Sequence, residues 1–224
     1  MVKVIAVVPL KENSQRLPNK NMTPLNGKPL FHYILETLAK VKKIDEIYIF
    51  SSSDKFDEIP SNCNEKIKFK RRNPELNSDE TQINDVIRAF VKEVEADLII
   101  LAHATSPFIS VNTLNTCLEK ILDNNFDSAF AASELRKFCL YQGIPINFKR
   151  EEDLPQLQKI TPIVVEQGGL YIFGRNDFLT KNSRVGQNPY IHLVDEIEKV
   201  DIDYPDDLVI AESLLKKYLE LEPK

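Results

Sequence analysis

A chain of 224 residues with 42% hydrophobic and 28% charged content can bury the core of one large domain and keep a soluble surface. Its net charge of −5 speaks against nucleic acid as the main partner, because a duplex binder needs a basic face to displace counterions. The apolar runs are too short for a membrane span and no cleavage-site pattern follows the first. With Cys63, Cys117 and Cys139 far apart and lacking CxxC spacing, a cytoplasmic protein with reduced thiols and no signal peptide is expected.

Residues 2–8 are almost continuously apolar, which predicts a central strand covered on both faces of an α/β sheet. Pro9 cannot donate to a ladder, so pairing should weaken there, and the next dozen residues fall outside the carboxyl end of the strand, where open α/β sheets place their ligands. That loop, beginning at Leu10, sets Lys11, Arg16 and Lys20 against the single acid Glu12. With the Ser14 hydroxyl, the amides of Asn13 and Asn21 and free backbone N–H groups, it suits a triphosphate.

Further along, Gly27 and Pro29 punctuate the start of a helix over 30–40, followed by a strand over 46–51. Ser52, Ser53 and Asp54 read equally as a ligand-facing turn or a helix N-cap. A strand over 67–70 leads to a helix over 81–94, with Asp79 as its cap, Thr81 early in it and Arg72 beside its N-terminus, placed for an anion contact or a surface salt bridge. A strand over 97–101, a helix over 111–122 and a strand over 128–132 complete an alternation that requires parallel pairing, hence a Rossmann-like α/β sheet. From 133 to 166 the periodicity is lost. Pro145, Pro155 and the charge cluster at 149–153 predict an excursion, giving a core of 1–132 and 167–224 with 133–166 inserted.

Near the end, residues 199–208 read KVDIDYPDDL. A short strand there puts Asp201 and Asp203 on one face, where two carboxylates repel unless a divalent cation sits between them. Magnesium, which favours one or two carboxylates plus substrate phosphates, fits. The alternative is that Asp203 or Asp206 caps a final helix over 206–219.

The segment PLKENSQRLPNKN resembles the first signature of the bacterial CMP-acylneuraminate synthetase family, the cytidylyltransferases that activate acidic sugars, written Pro-Ala-Arg-x-x-Ser-x-x-x-Pro-x-Lys-Asn. Ser14, Pro18, Lys20 and Asn21 match, and Lys11 stands for the arginine. Arg72, Leu76, Ser78, Asp79, Thr81, Asp85 and Val86 follow a second family run. Thr105, Ser106 and Pro107 follow a third, with His103 in place of a glutamine and Ile109 in place of an arginine. The run from Asp201 to Leu208 resembles the family's Asp-Ile-Asp element.

This resemblance implies a three-layer, mostly parallel sheet like that of nucleotide-diphospho-sugar transferases, with a small inserted dimerisation lobe and a homodimeric assembly. It implies that CTP is held by Leu10, Lys11, Asn13, Ser14, Arg16, Lys20, Asn21, Arg72 and Thr81, and that Asp201 and Asp203 bind Mg2+ and act in catalysis with Lys20. A small acidic acceptor would meet His103, Thr105, Gln158 and Gln167. Another keto sugar acid or a phosphonate as acceptor, a metal-dependent glycosyltransferase and a nucleotide-binding module without chemistry remain open alternatives.

Overall fold

The computed structural model describes residues 2–59, 64–150 and 154–221, with side chains up to 216. Cys63 and residues 151–153 of the charge cluster lie outside the described residues. The chain runs β1 (Val4–Pro9), the hairpin β2 (Pro24–Leu25) and β3 (Lys28–Pro29), α1 (Leu30–Lys40), β4 (Glu46–Ser51), β5 (Ile67–Arg71), α2 (Ile83–Glu93), β6 (Leu98–Ala102) and α3 (Val111–Leu122). It continues through β7 (Ser128–Leu135), the hairpin β8 (Leu140–Tyr141) and β9 (Ile144–Pro145), β10 (Ile163–Gly174), α4 (Arg175–Lys181), β11 (Pro189–Leu193) and α5 (Pro205–Leu221).

Seven strands form one sheet in the order β11-β7-β10-β6-β1-β4-β5. β10 is antiparallel to both neighbours and every other pairing in that sheet is parallel, as the alternation of elements requires. The unbroken apolar run of β1 has a direct cause. Val4, Ala6 and Val8 pack on one face with α1 and α3, while Ile5 and Val7 pack on the other with α2 and Phe178 of α4. The effect expected of Pro9 appears on one side only. The ladder to β6 stops at Val7 opposite Leu101, whereas the ladder to β4 continues through Pro9 opposite Phe50 and ends with Leu10 N–H donating to the Phe50 carbonyl.

Several elements escaped the sequence reading, α4 and β11 among them. α4 is seven residues with one buried side chain, Phe178, too little to create a helical period, and β11 is an edge strand whose exposure alternates weakly. Cys117 and Cys139 are free. Burial pushes the Cys117 thiol up to about 12, so it behaves as a core hydrophobe. Among the described residues no helix is long and apolar enough to cross a membrane.

The segment around 133–166 is an arm. β7 and β10 stay paired beyond the core, from Ala132 opposite Glu166 to Leu135 opposite Ile163, after a register irregularity between Glu166 and Tyr171 that includes Gly168 at φ +73°. Farther out is the β8–β9 hairpin, whose Gln142-Gly143 turn has both φ angles positive, as two-residue hairpins favour. Leu140, Tyr141, Ile144 and Ile146 of this arm are exposed, Ile144 to 68%.

Candidate functional site

What joins the two ends of the chain is a small apolar cluster. Leu25, Leu30, Ile202 and Ala211 are buried together, with Leu17, Val200 and Leu208 packed around them. Ile202 is fully buried and its N–H donates to the Thr105 carbonyl at 2.8 Å. With Val200 and Ile202 turned into this cluster, alternation turns Asp201 and Asp203 outward on a common side. The expected strand is not there: residues 199–204 join no ladder, and the one-face geometry comes from the buried Ile202 instead.

The loop after β1 ends beside this segment. Asn19 at φ 55° bends the chain into a single 3-10 turn, Lys20–Met22, which buries Lys20 and Asn21. Asn21 Nδ2 donates to the Lys11 carbonyl at 2.8 Å, tying the loop's end to its start. The Lys20 ammonium reaches Asp203 Oδ1 at 2.7 Å and the Arg16 guanidinium reaches Asp203 Oδ2 at 2.6 Å. Groups 183 positions apart in sequence are therefore in direct contact. Tyr204 helps to hold Arg16, first through its hydroxyl and then through its ring, 5.4 Å from the guanidinium.

Glu12 is turned away. Its carboxylate pairs with Lys55 and accepts a 2.8 Å bond from Ser53 Oγ, which holds it below the usual carboxylate range and leaves the rest of the loop cationic. Of the two roles read for it, Ser53 takes the N-cap, accepting from Lys55 N–H. A cleft of about 500 Å³ opens on this side, lined by Lys11–Gln15, Ser52, Ser53, Pro74, Asn77 and Asp79, a size suited to a small ligand. Lys20, Asp201 and Asp203 are not part of its lining, so the cleft and the aspartates occupy different parts of the loop's surroundings.

Several expected roles are revised. Asp79 does not cap α2, because its carboxylate pairs with Lys11 at 3.0 Å, and Lys11 and Gln15 hold it below the ordinary range. The cap is Gln82, with Asp85 accepting its N–H, so Thr81 precedes the helix. Arg72 is 4% exposed beneath the loop, donating to the Leu10 carbonyl and to Asn77 Oδ1 at 2.7 Å, with its Nε unpartnered. Asn77 in turn donates to Ser52 Oγ, so Asn77 and Ser52 form a cleft floor that the motifs do not mark. Neither Asp203 nor Asp206 caps α5. Asp207 accepts the N–H groups of Asp203 and Tyr204, with Pro205 as the first helical residue.

Asp201 faces the tip of β6. It meets Ser106 Oγ at 3.5 Å and the Thr105 hydroxyl, and desolvation, with Asp203 and Asp207 nearby, holds its carboxyl above the usual range. These two outward carboxylates form an all-oxygen donor pair. Among the described residues no group of three or more acids, histidines or cysteines is placed to hold a metal, so the protein's own share would be these two. That set fits magnesium, which completes its shell with phosphate and water.

On the other side of β6, His103 donates its N–H to the Gly169 carbonyl, and its Nε2 is shut from solvent without a partner. Burial, then the charges of Arg184 and Lys20, push the imidazole down to about 4. Gly169 leaves room for Ser106, since a Cβ there would lie 2.2 Å from Ser106 Oγ. Gln167 donates to Ser133 Oγ at 2.9 Å near the root of the arm. Gln158 is exposed on the arm beside Gln156, within neither the loop nor the aspartate cluster. Ile109 is 1% exposed in the core and presents nothing to a ligand. The sequence also gave no sign of Glu198, a buried acid that ties Ser110 N–H and Thr113 Oγ1 to the segment bearing Asp201.

A family model described as cytidylyltransferase matches residues 5–163. The chain is 24% identical over 218 residues to an N-acylneuraminate cytidylyltransferase of Streptococcus agalactiae, covering 93% of this chain and 52% of that one. It is also 24% identical to a pseudaminic acid cytidylyltransferase of Campylobacter jejuni, covering 96% and 97%. The chain thus spans about half the length of the N-acylneuraminate enzymes it matches and nearly all of the pseudaminic acid enzyme. Among solved structures, a CMP:2-keto-3-deoxy-manno-octonic acid synthetase complexed with CTP superposes with a TM-score of 0.72 at 18% identity, over 96% of this chain and 99% of the other.

Proposed function

The chain belongs to the cytidylyltransferase family, and on that premise we propose that it transfers CMP from CTP to a hydroxyl of an acidic sugar, releasing pyrophosphate. The observation that carries this reading is the contact of Lys20 and Arg16 with Asp203, which brings the loop after β1 and the late aspartates together at one point. The cleft lined by Lys11–Gln15 and Asn77 takes the nucleoside, and Lys11, Arg16 and Lys20 take the triphosphate. Asp201 and Asp203 would hold magnesium, which when bound would neutralise phosphate charge.

In the reaction the acceptor hydroxyl oxygen bonds to the α-phosphorus, the bond to the bridging oxygen breaks, and pyrophosphate leaves. The hydroxyl proton passes to the Asp201–Asp203 carboxylates. Little covalent work falls to the protein. Lys20, largely removed from solvent, acts on developing charge in a low-dielectric setting, where a fixed cation is most effective. Thr105 and His103, at the tip of β6, face the acceptor.

The exposed apolar arm serves a second copy of the chain. Leu140, Tyr141 and Ile144 form a surface of a kind that monomers seldom leave to water. Unpaired thiols at Cys117 and Cys139 suit a reducing cytoplasm.

The test is pyrophosphate release with each nucleoside triphosphate, magnesium and a panel of N-acylneuraminic, pseudaminic and legionaminic acids. CTP alone should support acceptor-dependent release. Equal release with ATP or GTP would remove the base assignment, and silence with every pair would remove the reaction.

A further inference from the structure

Resting on the acid-sugar reading above, we propose that Arg184, which no motif marks, is the cation that binds the acceptor's carboxylate and so sets acceptor specificity.

The argument begins with register. Tyr171 of β10 lies opposite Leu101 of β6, and two residues farther along each strand His103 N–H bonds the Gly169 carbonyl. Side chains alternate along a strand, so Leu101 and His103 share one face of the sheet with the Tyr171 ring. That ring is 1% exposed, and the Arg184 guanidinium covers it, 4.3 Å from the ring centre. Arg184 therefore sits over β10 beside His103, close enough for its charge to act on the imidazole.

Among the described residues the guanidinium has no hydrogen bond and no ion-pair contact. Glu166, whose Oε1 accepts from the Tyr171 hydroxyl, acts on it only from a distance, and half-burial lowers its proton affinity. An arginine presents five donors, and a half-buried guanidinium that has no protein acceptor leaves them open to water or to a ligand. His103 Nε2, on the same face, lacks a partner too. The Tyr171 ring holds the guanidinium in place, and an arginine fork can make two parallel bonds to a carboxylate.

Position decides which carboxylate or phosphate is meant. The nucleoside cleft is built from the loops after β1, β4 and β5, while Arg184 lies over β10, on the other side of β6. The triphosphate already has Lys11, Arg16 and Lys20. The ligand acid that Arg184 meets is therefore the acceptor's, and Ile109, buried in the core, offers no competing cation there.

Arg184→Met keeps apolar cover on Tyr171 and removes the charge, and Arg184→Lys keeps the charge and removes the fork. With the best acceptor of the panel, Arg184→Met should raise the acceptor KM about 10- to 100-fold. The CTP KM and the melting temperature should stay near wild type, and Arg184→Lys should recover part of the loss. The methyl ester of the same sugar should bind wild type poorly and be indifferent to the substitution. If wild type turns over and Arg184→Met leaves the acceptor KM unchanged, or shifts the CTP KM equally, Arg184 only covers Tyr171 and the assignment is wrong. If wild type is silent with the whole panel, the acid-sugar reading and this assignment fall together.

Discussion

The loop–aspartate face and the arm are built on opposite plans. At the first, charged side chains from distant parts of the chain are locked in pairs: Lys20 and Arg16 on Asp203, Lys11 on Asp79, Glu12 on Lys55, and a buried apolar cluster around Ile202 places the Asp203 segment. On the arm, by contrast, Leu140, Tyr141 and Ile144 stand in water on a narrow two-stranded ribbon. On the reading proposed above, the first face serves chemistry on a charged ligand and the arm serves another protein surface.

The strongest way to break this contrast is at the aspartates. Asp201→Asn and Asp203→Asn should each lower turnover by about a thousandfold or more, because each removes charge from the proposed metal pair, while the buried Ile202 keeps the fold. Steady-state pyrophosphate release alongside a thermal melt separates the two effects. Full activity in both variants would remove the metal assignment.

Lys20→Met comes next, with an expected loss on the order of a hundredfold in kcat/KM for CTP, since it removes a nearly buried cation but leaves Arg16 on Asp203. The arm should respond differently. Leu140→Asp with Ile144→Asp should weaken self-association at least about tenfold in sedimentation equilibrium, without moving the melting temperature of the core. A protein that is monomeric before substitution would contradict the arm's role.

A separate prediction concerns stability. The folded His103 imidazole sits at about 4, below its ordinary 6.5, so the unfolded chain binds more protons between these values. Stability from this group is complete above about pH 6.5 and is lost as pH falls toward 4, on the order of 3 kcal/mol in all. His103→Gln should flatten that part of a pH series of melting curves. An unchanged slope would show that the imidazole titrates near its usual value.

Most of the sheet was legible because its elements carry strong periods: β1, β4, β6, α1 and α3 follow apolar runs whose burial the structure reproduces. The meeting of Lys20 with Asp203 was legible only through motif order, since nothing local in either segment names the other. α4, β11 and the cap roles of Gln82 and Asp207 were not, because a seven-residue helix, an exposed edge strand and a single acid at the third helical position leave little pattern. Arg184 was hidden for another reason: its place depends on Tyr171 being stacked beneath it, a tertiary contact that a loop sequence of Ser, Arg, Val and Gly does not announce.

The central claim is that the loop after β1 and the late aspartates serve one triphosphate. A crystal structure with CTP and magnesium tests it most directly: the phosphates should lie against Lys20 and residues 11–16, with the α-phosphate next to Asp201 and Asp203. CTP bound with its triphosphate away from either cluster would contradict the account.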